Sequence, residues 1–382
     1  MSRTTGQTVT TTTLGESVRA FVPHPLPPAD PPLNPGCFDR LNHDAELALA
    51  RLTGVSGLVP SVDWLLYSAI RKEALLTSQI EGTQASLADL LDEEAGLAVR
   101  NADDVEEVTN YLRAFRWVQS QLRDAHGLPV SVRLLSRAHG LLLDGVRGAG
   151  KQPGELRQSQ NWIGGTRPGN AVFVPPPPQQ VPALLAALES FIHQPALDLP
   201  PLVRIALVHG QFETIHPYLD GNGRMGRLLI AVLLEHWGLL REPLLYLSGY
   251  LKQHQGEYYR RLSAIRSDGD WESWVSFFLA GVVDAAGQAE ASIIDIASLV
   301  AEDRRRLMQL PGASASSYRL FEMLPMMPHF TAQHVRQRLQ TTAPTANAAI
   351  RTLQQAGIVA ELTGQKKNRI YSYQAYVQRL SR

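Results

Sequence analysis

The chain has 382 residues, more than a usual single domain, and its 44% hydrophobic and 19% charged content is that of an ordinary globular protein. One cysteine, Cys37, excludes an intrachain disulfide framework and a cysteine-based zinc site. No stretch approaches the roughly 20 apolar residues that cross a bilayer. The longest candidate, around Leu228 to Leu240, is interrupted by Glu235 and His236. The polar N-terminus has no apolar signal region, so the expected compartment is the cytoplasm, with no membrane partner. Lys/Arg and Asp/Glu balance at 36 each, yet residues 313–382 hold nine Lys/Arg against Glu322 and Glu361. That local surplus of positive charge suggests a basic tail facing an anionic partner.

In chain order, residues 1–36 read as a Thr- and Pro-rich arm whose prolines favour extended backbone over helix. From 37 onward the apolar spacing is mostly helical. Leu47, Leu49 and Leu52 mark a weak helix, and Val105, Val108, Leu112, Phe115 and Val118 a good amphipathic one, within an N-terminal helical region over 37–120. Trp64–Ile80 is a helix closed by Gly82, a normal position for a C-terminal glycine. A core over 121–300 follows, with helices expected at 131–146, 180–193, 200–215, 224–237 and 270–300. One exception interrupts it. Asn161–Val174 has two β-prone pieces around a Gly/Pro-rich turn and reads as a hairpin on a helical scaffold. Residues 313–382 read as three short helices, at Ser317–Leu324, Thr331–Leu339 and Ala343–Ala356. Two strand-like runs, at 358–362 and 369–373, complete a winged helix-turn-helix.

The densest chemistry lies in His216-Pro-Tyr-Leu-Asp-Gly-Asn-Gly-Arg-Met-Gly-Arg227. Pro217 disfavours helix at His216, so one helix ends there, and the next begins near Arg224. Asp220-Gly-Asn-Gly therefore sits at a helix N-terminus, where free N–H groups and the helix dipole favour an anion. Gly221 and Gly223 let the backbone approach a phosphate closely. Asp220 is a hard oxygen ligand suited to Mg²⁺, and Arg224 and Arg227 can fork onto phosphate oxygens. His216 can take a proton from an attacking hydroxyl. An EF-hand fails because Arg224 occupies a ligand position, and a P-loop fails because no Gly-Lys-Ser/Thr is present. Taken singly, a GNG is usually a turn and an Arg pair usually a solvated face; the coincidence of all the parts is specific.

This segment resembles the Fic family motif, His-x-Phe-x-Asp/Glu-Gly-Asn-Gly/Lys-Arg-x-x-Arg, at every defined position except that Tyr218 replaces Phe. The resemblance covers roughly residues 40 to 300. It implies an all-α fold, a Fic-type helical bundle with a small β-hairpin flap, beside the C-terminal winged helix-turn-helix. It further implies an enzyme that moves AMP from ATP to a Ser, Thr or Tyr hydroxyl of a protein, another chain or itself. By position, His216 is the general base and Asp220 the Mg²⁺ ligand. Gly221, Asn222 and Gly223 cradle the α- and β-phosphates, Arg224 assists, and Arg227 clamps the γ-phosphate.

A second match is Thr77-Ser-Gln-Ile-Glu81-Gly82, which resembles the family's inhibitory pattern Ser/Thr-x-x-x-Glu-Gly/Asn. The family partner of that glutamate is the second motif arginine, so the resemblance implies a Glu81–Arg227 pair that keeps ATP from its productive pose. In some relatives the same glutamate supports AMP removal. The hairpin at 161–174 corresponds to the family flap, with Ile163, Gly164, Gly165 and Thr166 bordering the nucleotide and an open edge for an extended target segment. Tyr258 and Tyr259 match a pair near the adenine. In the tail, Asn347, Arg351, Lys366, Lys367 and Arg369 are placed to meet DNA phosphates. Winged helices serve equally as protein-docking or homodimerisation modules. The competing reading is a DNA-binding regulator whose Fic-like body senses nucleotide; an intact His216 and Asp220 favour the enzyme. A Fic enzyme transferring another phosphate-containing group is the third.

Overall fold

Residues 3–59, 61–195 and 198–381 are described by the computed structural model. The first departure from expectation comes in the N-terminal arm. Gly6–Thr13 (β1) and Glu16–Pro23 (β2) pair as an antiparallel hairpin with Thr10 opposite Arg19. The threonines are β-branched and fit a pleated surface. Leu14 and Gly15 both take positive φ, 49° and 79°, as a two-residue hairpin turn requires. A polar run is a poor strand signal by hydrophobic alternation, which is why this hairpin reads as an arm.

The N-terminal helices are α1 (Asp39–Val55), α2 (Val62–Ile80), α3 (Leu87–Glu94) and α4 (Ala102–Arg123). Ser61 caps α2, and Ser86 with Asp89 forms a reciprocal capping box on α3. In α1, Leu49 and Leu52 are buried with Ala45 and Ala48, whereas Leu47 faces solvent. The core continues through α5 (Val132–Leu142), α6 (Val181–His193), α7 (Pro201–Ile215), α8 (Asn222–His236), α9 (Ser248–Gln253), α10 (Gln255–Ser267) and α11 (Trp271–Gln309). In α7 every residue from Leu202 to Ile215 except Arg204 is buried, and α8 is buried from Arg224 to Leu234. These two helices form the interior, so the loop joining them is held from below on both sides.

Helix α11 runs nine residues beyond the expected end at 300 and packs along α1. By length and apolar composition alone it is the one helix among the described residues able to cross a membrane, which corrects the expectation that no such stretch exists. Half of its most apolar stretch is buried inside the fold.

The tail holds α12 (Ala315–Met323), α13 (Ala332–Leu339), α14 (Ala343–Gln355) and α15 (Gln374–Leu380). Three short strands, β3 (His329–Thr331), β4 (Ala360–Glu361) and β5 (Ile370–Ser372), form an antiparallel sheet in the order β3-β5-β4. β3 and α15 are too short to leave a periodic signal and escape sequence reading. Tyr373 donates to the buried Asp303 of α11 at 2.7 Å, and Arg379 pairs with Asp295 at 3.1 Å. One hydrophobic core runs without interruption from Phe38 to Leu380, while Val18, Ala20 and Val174 make a small second cluster under the hairpin.

Candidate active site

The site is built on the α7–α8 loop. α7 ends at His216, which adopts left-handed backbone angles, φ 50° and ψ 62°, uncommon for a residue with a side chain. Buried Arg157 holds this bend. Its Nε donates to the His216 carbonyl at 2.9 Å, its terminal nitrogen to the carbonyls of Pro176 (2.5 Å) and Ile215 (3.4 Å), and its own backbone N–H to the Pro217 carbonyl at 2.9 Å. Nothing in the residues around Arg157 signals this role in advance.

Tyr218 is buried and stacks on His139, with ring centroids 3.9 Å apart. Its hydroxyl, the addition relative to phenylalanine, meets the Ser136 hydroxyl at 3.3 Å. Gly154 N–H donates to His139 Nδ1, so that ring carries its proton on Nε2 and donates to the Asp220 carbonyl at 3.0 Å. Asn222 bonds Tyr218 twice, its Oδ1 accepting from the backbone N–H and its Nδ2 donating to the carbonyl, each at 2.8 Å. Asn222 thus shapes the loop through its side chain.

Helix α8 begins at Asn222, two residues earlier than expected, because Gly221 takes φ 75° and serves as its N-cap. Among the described residues nothing accepts from the N–H groups of Asn222, Gly223 and Arg224. Three orphan donors at a helix start form a ready anion site. Above them sits a carboxylate. A Cβ on Gly223 would fall 2.3 Å from Glu81 Oε1. The same oxygen accepts from Arg227 at 2.6 Å. Arg227, fully enclosed, also donates to the Thr77 hydroxyl at 2.6 Å and the Thr77 carbonyl at 3.0 Å. Burial opposes the Arg227 charge, but Glu81 outweighs it and holds the pKa above the ordinary value. Burial likewise opposes the Glu81 charge, and Arg227 outweighs it, leaving the carboxyl below its usual range. Glu81 lies at the C-terminus of α2, where Gly82 (φ 99°) turns the chain and the Thr83 N–H closes on the Ser78 carbonyl at 3.2 Å.

Arg224 is paired with acidic side chains in this structure. It is buried and donates to Glu107 of α4 at 3.0 Å, with Asp220 at 3.7 Å. Glu107 in turn faces Arg147 at 3.3 Å. The Asp220 side chain is 39% exposed, and its Oδ2 makes no hydrogen bond with any described residue. Burial, with the Arg157 guanidinium, pushes the His216 imidazole down to about 4. It is therefore neutral at physiological pH and free to accept a proton. Glu213, one turn earlier on α7, is a further buried carboxyl that sequence reading did not single out; burial raises it to about 7.

The Fic/DOC family N-terminal profile matches residues 40–119, and the Fic/DOC family profile matches residues 129–234. The chain thus carries a Fic/DOC domain with the family's N-terminal region before it. It is similar to proteins named protein adenylyltransferase Fic from Aedes aegypti, 28% identical over 205 residues, and from Drosophila willistoni, 27% identical over 205 residues. Each alignment covers 52% of this chain and 37% of the relative, so the match spans well under half of those proteins. Its fold resembles a Fic family protein from Desulfovibrio desulfuricans, with a TM-score of 0.56 at 22% identity, covering 89% of this chain and 96% of the other. A Fic domain-containing signalling protein from Bacteroides thetaiotaomicron gives 0.55 at 18% identity, covering 67% of this chain and 97% of the other.

In this Fic chain the flap is slighter than its sequence suggests. The two arms join through a single bridge, Ile163 to Phe173. Gly164 and Gly165 take positive φ, and Asn170 folds back to accept from the Thr166 N–H at 3.0 Å, so the tip is a knot of turns where paired strands were expected. Gly164, Gly165 and Thr166 are exposed, and no hydrogen bond joins Ile163–Thr166 to residues 216–227 among the described residues. The link is Asn161, which donates to the Tyr218 carbonyl at 3.1 Å. The open edge is also partly taken, since the Phe21 N–H of β2 donates to the Val174 carbonyl at 3.0 Å. Tyr258 is buried, its hydroxyl 2.8 Å from His209 and its ring beside Trp274, a core position. Tyr259 is 48% exposed on the neighbouring face.

Proposed function

We propose that this Fic protein is a protein adenylyltransferase held in a restrained state by its own Glu81. The observation that carries the reading is the Glu81 carboxylate seated over Gly223 and on Arg227, an anion standing where a nucleotide phosphate would lie. Orphan N–H groups, a glycine that leaves room for an oxygen and an enclosed guanidinium together suit a triphosphate. The exposed Asp220 carboxylate, with one oxygen unspent, fits a divalent cation such as Mg²⁺, which when bound would neutralise phosphate charge.

In the reaction, a target hydroxyl oxygen bonds to the α-phosphorus of ATP, the bond to the β-phosphate oxygen breaks, and pyrophosphate leaves. The hydroxyl proton passes to the neutral His216 imidazole. Backbone donors at 222–224 hold negative charge as it develops. Arg227 takes the terminal phosphate only when Glu81 has left it. A target segment would lie along what remains of the flap edge.

Intact-mass spectrometry after incubation with ATP and Mg²⁺ tests the reading. Glu81→Gly should gain AMP-sized increments faster than wild type. The double variant Glu81→Gly, His216→Ala should lose about 10²–10⁴-fold in rate. A Glu81→Gly protein no more active than wild type would overturn the restraint. For the tail, we read the three helices and sheet of residues 315–372 as a winged helix-turn-helix. Exposed Lys366, Lys367 and Arg369 in the β4–β5 loop supply phosphate-contacting charge, whereas the exposed face of α14 offers only Arg351.

A further inference from the structure

A cleft of about 580 Å³ opens where the tail meets α2, α3 and α4. Its size falls within the range of small-molecule sites. Leu91, Met323, Met326 and Met327 give it an apolar side, and methionines adapt to irregular ligands. The charged side is uneven. Glu94 is engaged by Arg71 and by the Tyr67 hydroxyl, and Glu322 by Arg304 at 2.6 Å. His329 is paired with Asp92 at 2.7 Å. Arg116 and Arg338, by contrast, make no hydrogen bond or ion pair with any described residue, and His334 stands beside them in the lining. Partial burial and the neighbouring Arg71 hold the Arg116 guanidinium below its ordinary pKa, against a smaller opposing pull from Glu94.

We propose that this cleft binds a small organic anion, a carboxylate, sulfonate or phosphate monoester carried on an apolar body, with its charge on Arg116 and Arg338 and its body on the methionine side. The position matters because Tyr67 and Arg71 on the cleft wall belong to α2, with Arg71 about 15 Å along the same helix from Glu81. An occupant would therefore contact both the helix that carries Glu81 and the tail. The site itself stands on its own geometry and does not depend on AMP transfer.

The probe is 1-anilinonaphthalene-8-sulfonate, an amphipathic anion whose fluorescence reports binding to the full-length protein without turnover. Wild type should bind it saturably at one site. Arg116→Glu and Arg338→Glu each replace one charge-assisted contact by repulsion and should weaken Kd by about tenfold or more. Arg40→Glu, the same charge change outside the cleft, should leave Kd unchanged, and equal melting midpoints for the three variants would establish that all are folded. Non-saturable binding to wild type, or equal Kd in all three variants, overturns the proposal. Inorganic phosphate should compete only weakly; competition as strong as by the probe would show that the apolar side contributes nothing and would also overturn it.

Discussion

At position 223 a side chain would meet the carboxylate that now sits on the helix start. Its Cβ would meet Glu81 Oε1 at 2.3 Å, and Arg227 lies 3.0 Å away. Gly223→Ala would therefore push the glutamate tip off the helix start. In a labelled-ATP assay, Gly223→Ala alone should therefore raise transfer toward that of Glu81→Gly, and a rate no higher than wild type would contradict the contact. His216 sets the pH behaviour. Its pKa in the fold, about 4, lies below the free value of 6.5. Transfer by Glu81→Gly should hold level down to about pH 5 and fall only as the pH nears 4; an acid limb centred near 6.5 would contradict this assignment. Stability has the matching sign. The unfolded chain takes up the proton first, so stability is lost as the pH falls from 6.5 toward 4. At this scale the motif residues are legible because their types are chemically unusual together. Arg157, Glu107, His139 and Glu213 are not, since each works through a fold contact that spacing does not encode.

Among the elements, the α7–α8 loop depends on a clamp outside itself. Arg157 satisfies carbonyls at 176, 215 and 216, and without it the left-handed bend at His216 loses its support. Arg157→Ala should lower stability by about 2 kcal/mol or more, read from the urea midpoint, by leaving buried carbonyls unpaired. Arg157→Lys should not restore it, because one ammonium cannot reach three carbonyls in a fixed plane. The long amphipathic helices are readable from the sequence, and α5 to α8 lie within a few residues of their expected limits, because apolar periodicity survives burial. Elements stabilised from outside are not. β1 is a polar strand held by its pairing with β2, and the flap folds around Asn170 in place of forming a ladder.

For the molecule as a whole, the core is continuous from Phe38 to Leu380. Tyr373 reaches Asp303 and Arg379 reaches Asp295, so the tail is fastened to the longest helix through buried and half-buried groups. Calorimetry should show one cooperative transition including the tail, and Tyr373→Phe should shift it downward by about 1–3 kcal/mol, the cost of stranding a buried acceptor. Two separated transitions would refute a shared core. The basic character of residues 313–382 is plain in the sequence, but its packing is not, because β3 and α15 are short and gain their order from contact with α3 and α11.

The N-terminal hairpin carries one more consequence. Phe21 already occupies the Val174 carbonyl, and Glu16 pairs with Arg167 at the flap tip. Any incoming polypeptide that pairs with that arm competes with a strand tethered to the same molecule, whose local concentration is on the order of millimolar for a short tether. Under the proposed function, selectivity among target segments would then be set partly by how readily the hairpin of residues 6–23 can be displaced, and that hairpin would tune target choice although it carries none of the chemistry.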